Sequence, residues 1–240
     1  MELTALTIAT ALILFVCTSV RSAIGFGDAL LAMPLLGMIM SLRTATPVVA
    51  FTGFIISLII LVFDQDSVDL KSAWRLIIGT IIGVPFGLLL LQYAPEKLIK
   101  VGLGIILILY GLYNLASPKF PQLHHERYAI FFGFVAGILG GAYNTNGPPI
   151  AIYGVLRRWS ATYFRATMQC YFLFSGIATI AGHGLAGLWT PLVWRLFLWS
   201  VPGISIGIYI GSRINRIIPQ PMFNQIIFGL LVVVGCIFLL

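Results

Sequence analysis

GGAYNTNGPPIA, residues 140–151, interrupts an apolar chain with three glycines, two asparagines, a threonine and two prolines. It stands between Tyr128–Leu139 and Ile150–Leu156, both apolar. Each is too short to cross a bilayer, which takes about 20 residues of helix. A second interruption, IGFGDALLAMP at Ile24–Pro34, lies near the start of the chain. Glycine permits unusual backbone angles and close approach, and proline in the first turn of a helix forfeits no hydrogen bond. Asn146-Gly147-Pro148 therefore reads as the cap and start of a half-helix, and Asp28 as the cap of its counterpart. Irregular backbone at membrane depth survives only inside protein or against a wet cavity. Helix N-termini there offer free N–H groups and partial positive charge to a small anion. The expectation is a site near the midplane built from backbone donors with Asn144, Thr145 and Asn146. The competing reading is tight packing at the glycines, with the prolines as kinks.

Composition places these breaks in a membrane. Of 240 residues 60% are hydrophobic and 9% charged, and mean hydropathy is +1.04. A soluble domain carries about a quarter charged residues. The net charge of +7 comes from basic residues lying singly or in pairs between apolar runs. That is a topological signal rather than a nucleic-acid surface, and no nucleic acid is expected as partner. Cys17, Cys170 and Cys236 sit in apolar segments, widely spaced, with neither disulfide nor metal pattern. The first apolar run is flanked by Glu2 rather than a basic region and reads as retained.

Full-length apolar segments run Leu3–Val20, Ala45–Phe63, Ala73–Leu91, Leu98–Leu115, Tyr163–Ile180, Leu192–Ile210 and Gln225–Leu240. Shorter pieces, Ala29–Met40 and Ile150–Leu156, each follow a glycine-rich break. The polar stretch Ala116–Arg127 divides the chain. Motifs recur in order across that divide: Trp74–Leu76 with Trp194–Leu196, Gly83–Gly87 with Gly203–Gly207, Thr44–Thr46 with Arg165–Thr167. Gly25, Pro34 and Arg43 likewise align with Gly140, Pro149 and Arg158. Internal duplication is a recurring transporter architecture. The expected fold is an all-α polytopic membrane protein of two repeats, 1–115 and 128–240, joined by a linker at 116–127. Each repeat has about four crossings and a broken or re-entrant helix. Counting a break as one crossing puts Arg43, Lys97, Lys100, Arg157, Arg158, Arg165, Arg213 and Arg216 inside. Lys71, Arg75, Lys119, Arg127 and Arg195 then lie outside. Hairpins returning to their starting side would instead give three crossings per half, inverted repeats and an outside Arg157/Arg158/Arg165 cluster. Charge bias favours eight crossings, parallel repeats and both termini outside a plasma (inner) membrane.

These residues resemble the sulfite exporter TauE/SafE family of membrane permeases along nearly the whole chain. The first family motif looks like G-x-G-G-G followed by a proline; here it is Gly25-Phe26-Gly27-Asp28-Ala29, then Pro34. It departs from the pattern at Asp28 and Ala29. The second ends in G-P-P, here Gly140-Gly141 through Gly147-Pro148-Pro149, and RRWSATYFRATMQ (Arg157–Gln169) also looks typical. The resemblance implies transport of small sulfur-containing anions such as sulfite or organosulfonates.

Asp28 has three readings: a helix cap, a partner of Arg21, or a titrating group that couples transport to protons. Arg21 is either an interfacial anchor or the counter-charge of an anion. Arg165 and Gln169 lie one turn apart and are expected to face the second break. With them the candidate substrate site comprises Arg21, Gly25, Gly27, Asp28, Gly141, Tyr143, Asn144, Thr145, Asn146, Gly147, Pro148, Arg165 and Gln169. Thr46 and Thr167 match between the halves, although threonine in such helices usually bonds its own backbone. His124 and His125 are expected at the surface, as is His183. Trp74, Trp189, Trp194 and Trp199 read as interface anchors. No metal spacing, ATP phosphate loop or catalytic pairing is present, so neither cofactor nor enzymatic activity is expected. The reading is a secondary transporter working by alternating access around a midplane site. A preferred direction of export needs coupling to an ion gradient, with protons as the candidate ion, or to the membrane potential, and uniport is the uncoupled alternative. The alternatives are a channel using the same breaks as a filter, an intramembrane enzyme, or a structural subunit.

Overall fold

The computed structural model describes residues 3–24, 27–63, 70–116, 122–214 and 220–239. Regular structure among them is helical throughout: α1 (Leu3–Ile24), α2 (Asp28–Ile39), α3 (Leu42–Phe63), α4 (Leu70–Tyr93), α5 (Glu96–Ala116), α6 (Tyr128–Tyr143), α7 (Gly147–Leu156), α8 (Ala161–Leu185), α9 (Pro191–Ile214) and α10 (Gln220–Leu239). Within α1, α3, α4, α5 and α9 lie five segments long and apolar enough to cross a membrane. Leu12, Phe86, Leu109 and Leu198 are each more than half exposed, an outer surface suited to lipid. Trp74, Trp189, Trp194 and Trp199 are exposed as well. The chain is thus a multi-pass helical membrane protein.

The helices form two internally packed units. One takes residues 1–49, 94–119 and 190–240, the other 50–93 and 120–189, so each draws on both halves of the sequence. In the first, α9 runs parallel to α1. A side chain at Gly207 would sit 2.8 Å from the Phe15 carbonyl oxygen, and one at Gly211 would strike that of Ser19. In the same unit α5 and α10 run antiparallel, with Gly104 against Gly235 and Gly111 against Phe228. In the second unit α4 and α6 run parallel along a seam of glycines at four-residue spacing. Gly79, Gly83 and Gly87 meet the carbonyls of Ile130, Phe134 and Ile138, while Gly133, Gly137 and Gly141 meet those of Leu76, Thr80 and Val84. Lipid offers no hydrophobic drive between helices, so close backbone approach through small residues is what joins them.

The second break turns the chain back on itself. The Leu156 carbonyl, at the end of α7, accepts from the Leu123 N–H at 2.9 Å. Arg157 donates to the Leu123 and His124 carbonyls at 3.1 and 2.6 Å and pairs with Glu126 at 3.6 Å. Glu126 also pairs with Arg75. The end of α7 therefore lies beside the residues that lead into α6. This corrects the expectation that set Arg157 and Arg127 on opposite sides: α6 and α7 are the arms of a hairpin. Prolines at 148 and 149 start a new helix in a new direction instead of continuing the old one.

Candidate functional site

The two breaks belong to different units. At the first, Gly27 precedes α2 at φ 100, a left-handed conformation that glycine takes without steric cost. Asp28 is the first residue of α2 and does not cap it. Its carboxylate instead accepts from Arg21 Nη1 at 3.0 Å, with only 3% and 9% of the two side chains exposed. The cap reading is thereby corrected, and the pairing of Arg21 with Asp28 is found across a helix end. Nearby on α1, the unpartnered hydroxyls of Thr18 and Ser22 belong to residues packed against Gly207 and Gly211 of α9. Gly25 lies outside the described residues.

At the second break α6 ends in Asn144 at φ 51, a left-handed position that asparagine tolerates better than most residues. The Asn144 N–H bonds the Gly140 carbonyl at 2.8 Å, and that of Thr145 the Leu139 carbonyl at 3.2 Å. Asn146 holds the cap position of α7, as expected, but its side chain makes no cap bond. It reaches across to α8, where Nδ2 donates to Ser175 Oγ at 3.1 Å. Pro148 and Pro149 carry no N–H, so Gly147 alone supplies one among the first three residues of α7. The side chains consequently matter more here than the helix start does. Thr145 is 1% exposed, and its hydroxyl has no hydrogen-bond partner.

Around this turn lie Tyr143, also buried, and Gly140. A Cβ on Gly140 would sit 3.3 Å from Asn146 Cβ and 3.6 Å from Thr179 Oγ1. Gly141 differs: a side chain there would strike the Val84 carbonyl, which places this glycine in the helix seam. Tyr171 shares a 2.8 Å hydrogen bond with Thr80, whose hydroxyl also donates to the Gly133 carbonyl at 3.0 Å. The face of α8 that reaches the break carries Tyr171, Ser175 and Thr179. Gln169 is buried but lies two residues from Tyr171, about 200° round the helix. Gln169 therefore stands on a different face of α8 from Tyr171. The Arg165 side chain lies outside the described residues.

Sequence reasoning missed Ser175, Thr179, Tyr171 and Thr80. The signal of the three on α8 was the four-residue spacing of polar groups along an apolar helix; Thr80, on α4, had none. His183 is corrected: it is fully buried, with Nε2 3.2 Å from the Gly141 carbonyl. His124 and His125 are exposed as expected. Thr46 bonds the Leu42 carbonyl at 2.7 Å, whereas its counterpart Thr167 has an unpartnered hydroxyl.

Buried hydroxyls, an amide and a nearby uncapped helix start can receive an anion through neutral donors. Relatives of this chain have names that bear on that chemistry. It is 28% identical over 201 residues to "Probable membrane transporter protein YfcA" of Escherichia coli K12, covering 80% of this chain and 74% of the relative. It is 24% identical over 230 residues to "Probable sulfite/organosulfonate exporter TauE" of Cupriavidus necator, covering 91% and 88%. No solved structure matches. The family model described as sulfite exporter TauE/SafE matches residues 10–238, nearly the full length. The chain is a membrane transporter, not an enzyme, and belongs to the sulfite exporter TauE/SafE family.

Proposed function

We propose that the protein is a secondary transporter exporting small sulfur-containing anions, sulfite or organosulfonates, with the binding site at the second break. The observation that carries this reading is the buried, unpartnered Thr145 hydroxyl beside Asn146. An orphaned hydroxyl away from water is costly, and a bound oxyanion removes that cost by accepting from it. The printed name of the Cupriavidus relative supports the substrate class. Asp28 acts on the architecture, since its charge is already matched by Arg21. Alternating access draws on an ion gradient, with protons as the candidate coupling ion, or on the membrane potential.

The two halves, 1–115 and 128–240, are duplicates in this reading, joined by the linker at 116–127. Support comes from an exchange of partners: α1 packs on α9, and α6 packs on α4. In each case the first helix of one half meets the fourth of the other. A hairpin in each half leaves three crossings and makes the repeats inverted. Lys71, Arg75, Lys119, Arg127, Arg157, Arg158, Arg165, Arg213 and Arg216 then share one side, against Arg43, Lys97, Lys100 and Arg195. That bias makes the larger group cytoplasmic, the Arg157/Arg158/Arg165 cluster included, contrary to the outside placement expected above for a hairpin topology, and leaves both termini outside the cell membrane.

The test is flux of labelled sulfite and methanesulfonate in proteoliposomes, with and without a pH gradient, for wild type and Thr145→Val. A hydrogen bond to a charged ligand contributes about 1.5–3 kcal/mol, so apparent affinity should fall about tenfold or more. Valine removes no protein hydrogen bond, so stability should hold. Non-saturating current would indicate a channel, and unchanged affinity in Thr145→Val would remove the site from the second break.

A further inference from the structure

Five side chains along α8, Thr167, Tyr171, Ser175, Thr179 and His183, recur every four residues, and each has 0% exposure. At 1.5 Å per residue the row is about 24 Å long, most of the roughly 30 Å hydrocarbon core. It has polar groups from other helices beside it. Thr80 of α4 meets Tyr171, Asn146 meets Ser175, and Thr179 approaches the gap that Gly140 leaves. Ser175 and Asn146 are also near enough to the Tyr171 hydroxyl to interact with it.

Three of the five have an atom with no partner: Thr167 Oγ1, Thr179 Oγ1 and His183 Nδ1. Thr145 adds a fourth orphan at the break. Many hydroxyls on other helices are satisfied locally, Thr18 and Ser22 of α1 being exceptions. Thr7, Thr10, Thr46, Ser57 and Ser200 each bond the carbonyl four residues earlier, at 2.7–2.9 Å. Thr167 and Thr179 do not take that option, although α8 offers it. The carbonyl beside His183 Nε2 makes that nitrogen the donor and turns Nδ1 to the unpartnered side. Phe174 and Ile177 of α8 are apolar and exposed.

We propose that the hydroxyls of this row are the path of the transported anion: a small oxyanion moves along α8 from one hydroxyl donor to the next between Thr167 and Thr179, to and from Thr145 and Asn146, while His183 Nδ1, an acceptor in this tautomer, receives from water. The proposal rests on the transport reading above and extends it from a site to a route. Hydroxyls spaced about 6 Å apart allow a small sulfonate or a water to span neighbouring steps. The row holds no carboxylate to repel an anion and no cation to trap it.

Thiol labelling tests this directly. In a Cys17→Ala/Cys170→Ala/Cys236→Ala background, Thr167→Cys, Ser175→Cys and Thr179→Cys are near-isosteric probes. Phe174→Cys and Ile177→Cys are controls at exposed apolar positions of the same helix. The reagent is a small sulfonated methanethiosulfonate, itself an organosulfonate, and its trimethylammonium counterpart is the charge control. Because the reactive species is the thiolate, which needs water, row positions should label at least about tenfold faster than the controls. They should prefer the anionic reagent, and methanesulfonate should slow them. Labelling of the row no faster than at Phe174→Cys and Ile177→Cys overturns the route. Monodisperse elution of each variant establishes that it is folded. Row labelling without sulfonate flux would keep the route and reject the substrate assignment. Sulfonate flux with a silent row would do the reverse.

Discussion

At the break before α2 the chain buries a full charge pair, Arg21 with Asp28 at 3.0 Å. At the break before α7 the buried side chains are neutral: Thr145, Asn146 and, across from them, Ser175. The two stretches align in sequence and each separates two helices, yet their hydrogen-bonding economies are opposite. An ion pair uses its strongest donor on its own acceptor and fixes geometry. The neutral cluster leaves the Thr145 hydroxyl unused, available to a ligand that comes and goes. Two breaks that align in sequence therefore need not do the same work.

The contrast breaks most visibly at the charge pair. Asp28→Ala takes the carboxylate away from a buried guanidinium and should cost about 3–5 kcal/mol, read as a lower unfolding temperature in detergent. The exchange Arg21→Asp/Asp28→Arg should recover much of that loss. Recovery of flux along with it would establish the pair as architecture, while stable but inactive protein would give the charges a part in transport.

Gly141→Ala comes next. Its Cβ would strike the Val84 carbonyl, so overpacking should cost about 1–3 kcal/mol while substrate affinity of the folded fraction holds. Gly229, with nothing near an added Cβ, is the control, and Gly229→Ala should leave stability unchanged. Affinity that falls in Gly141→Ala would return this glycine to the binding site.

Asn146→Ala removes one hydrogen bond and should cost only about 1 kcal/mol of stability. Its effect should appear instead as weaker substrate binding in titrated flux. The smallest expected effect is that of Asn144→Gly. Glycine adopts the φ 51 conformation freely, so unchanged stability and flux would show that asparagine serves only the turn. A drop in flux would bring its amide into the site.

Much of this was legible in the sequence because it depends on composition and local chemistry. Apolar runs gave the helices, and Gly147-Pro148-Pro149 marked the start of α7. The separation of Arg21 and Asp28 allowed their pairing. Direction was harder. A glycine-proline break permits both continuation and reversal, and the bonds that decide it join Arg157 to residues more than thirty positions earlier. Gly141 was equally ambiguous, since seam and site both favour glycine. His183 was misread from its glycine-rich neighbours, because the Gly141 carbonyl that meets it is distant in sequence. The α8 row escaped notice because serine and threonine in an apolar helix usually satisfy themselves.

The start and end of α7 differ in a way that bears on motion. Its first turn contains Pro148 and Pro149, neither with an N–H, so tilting that end breaks few bonds. Its far end is held by Arg157 to the Leu123 and His124 carbonyls and to Glu126. A short rigid rod fastened at one end and lightly held at the other behaves as a lever. Its lightly held end is the one that carries Asn146, tied to α8 by a hydrogen bond to Ser175.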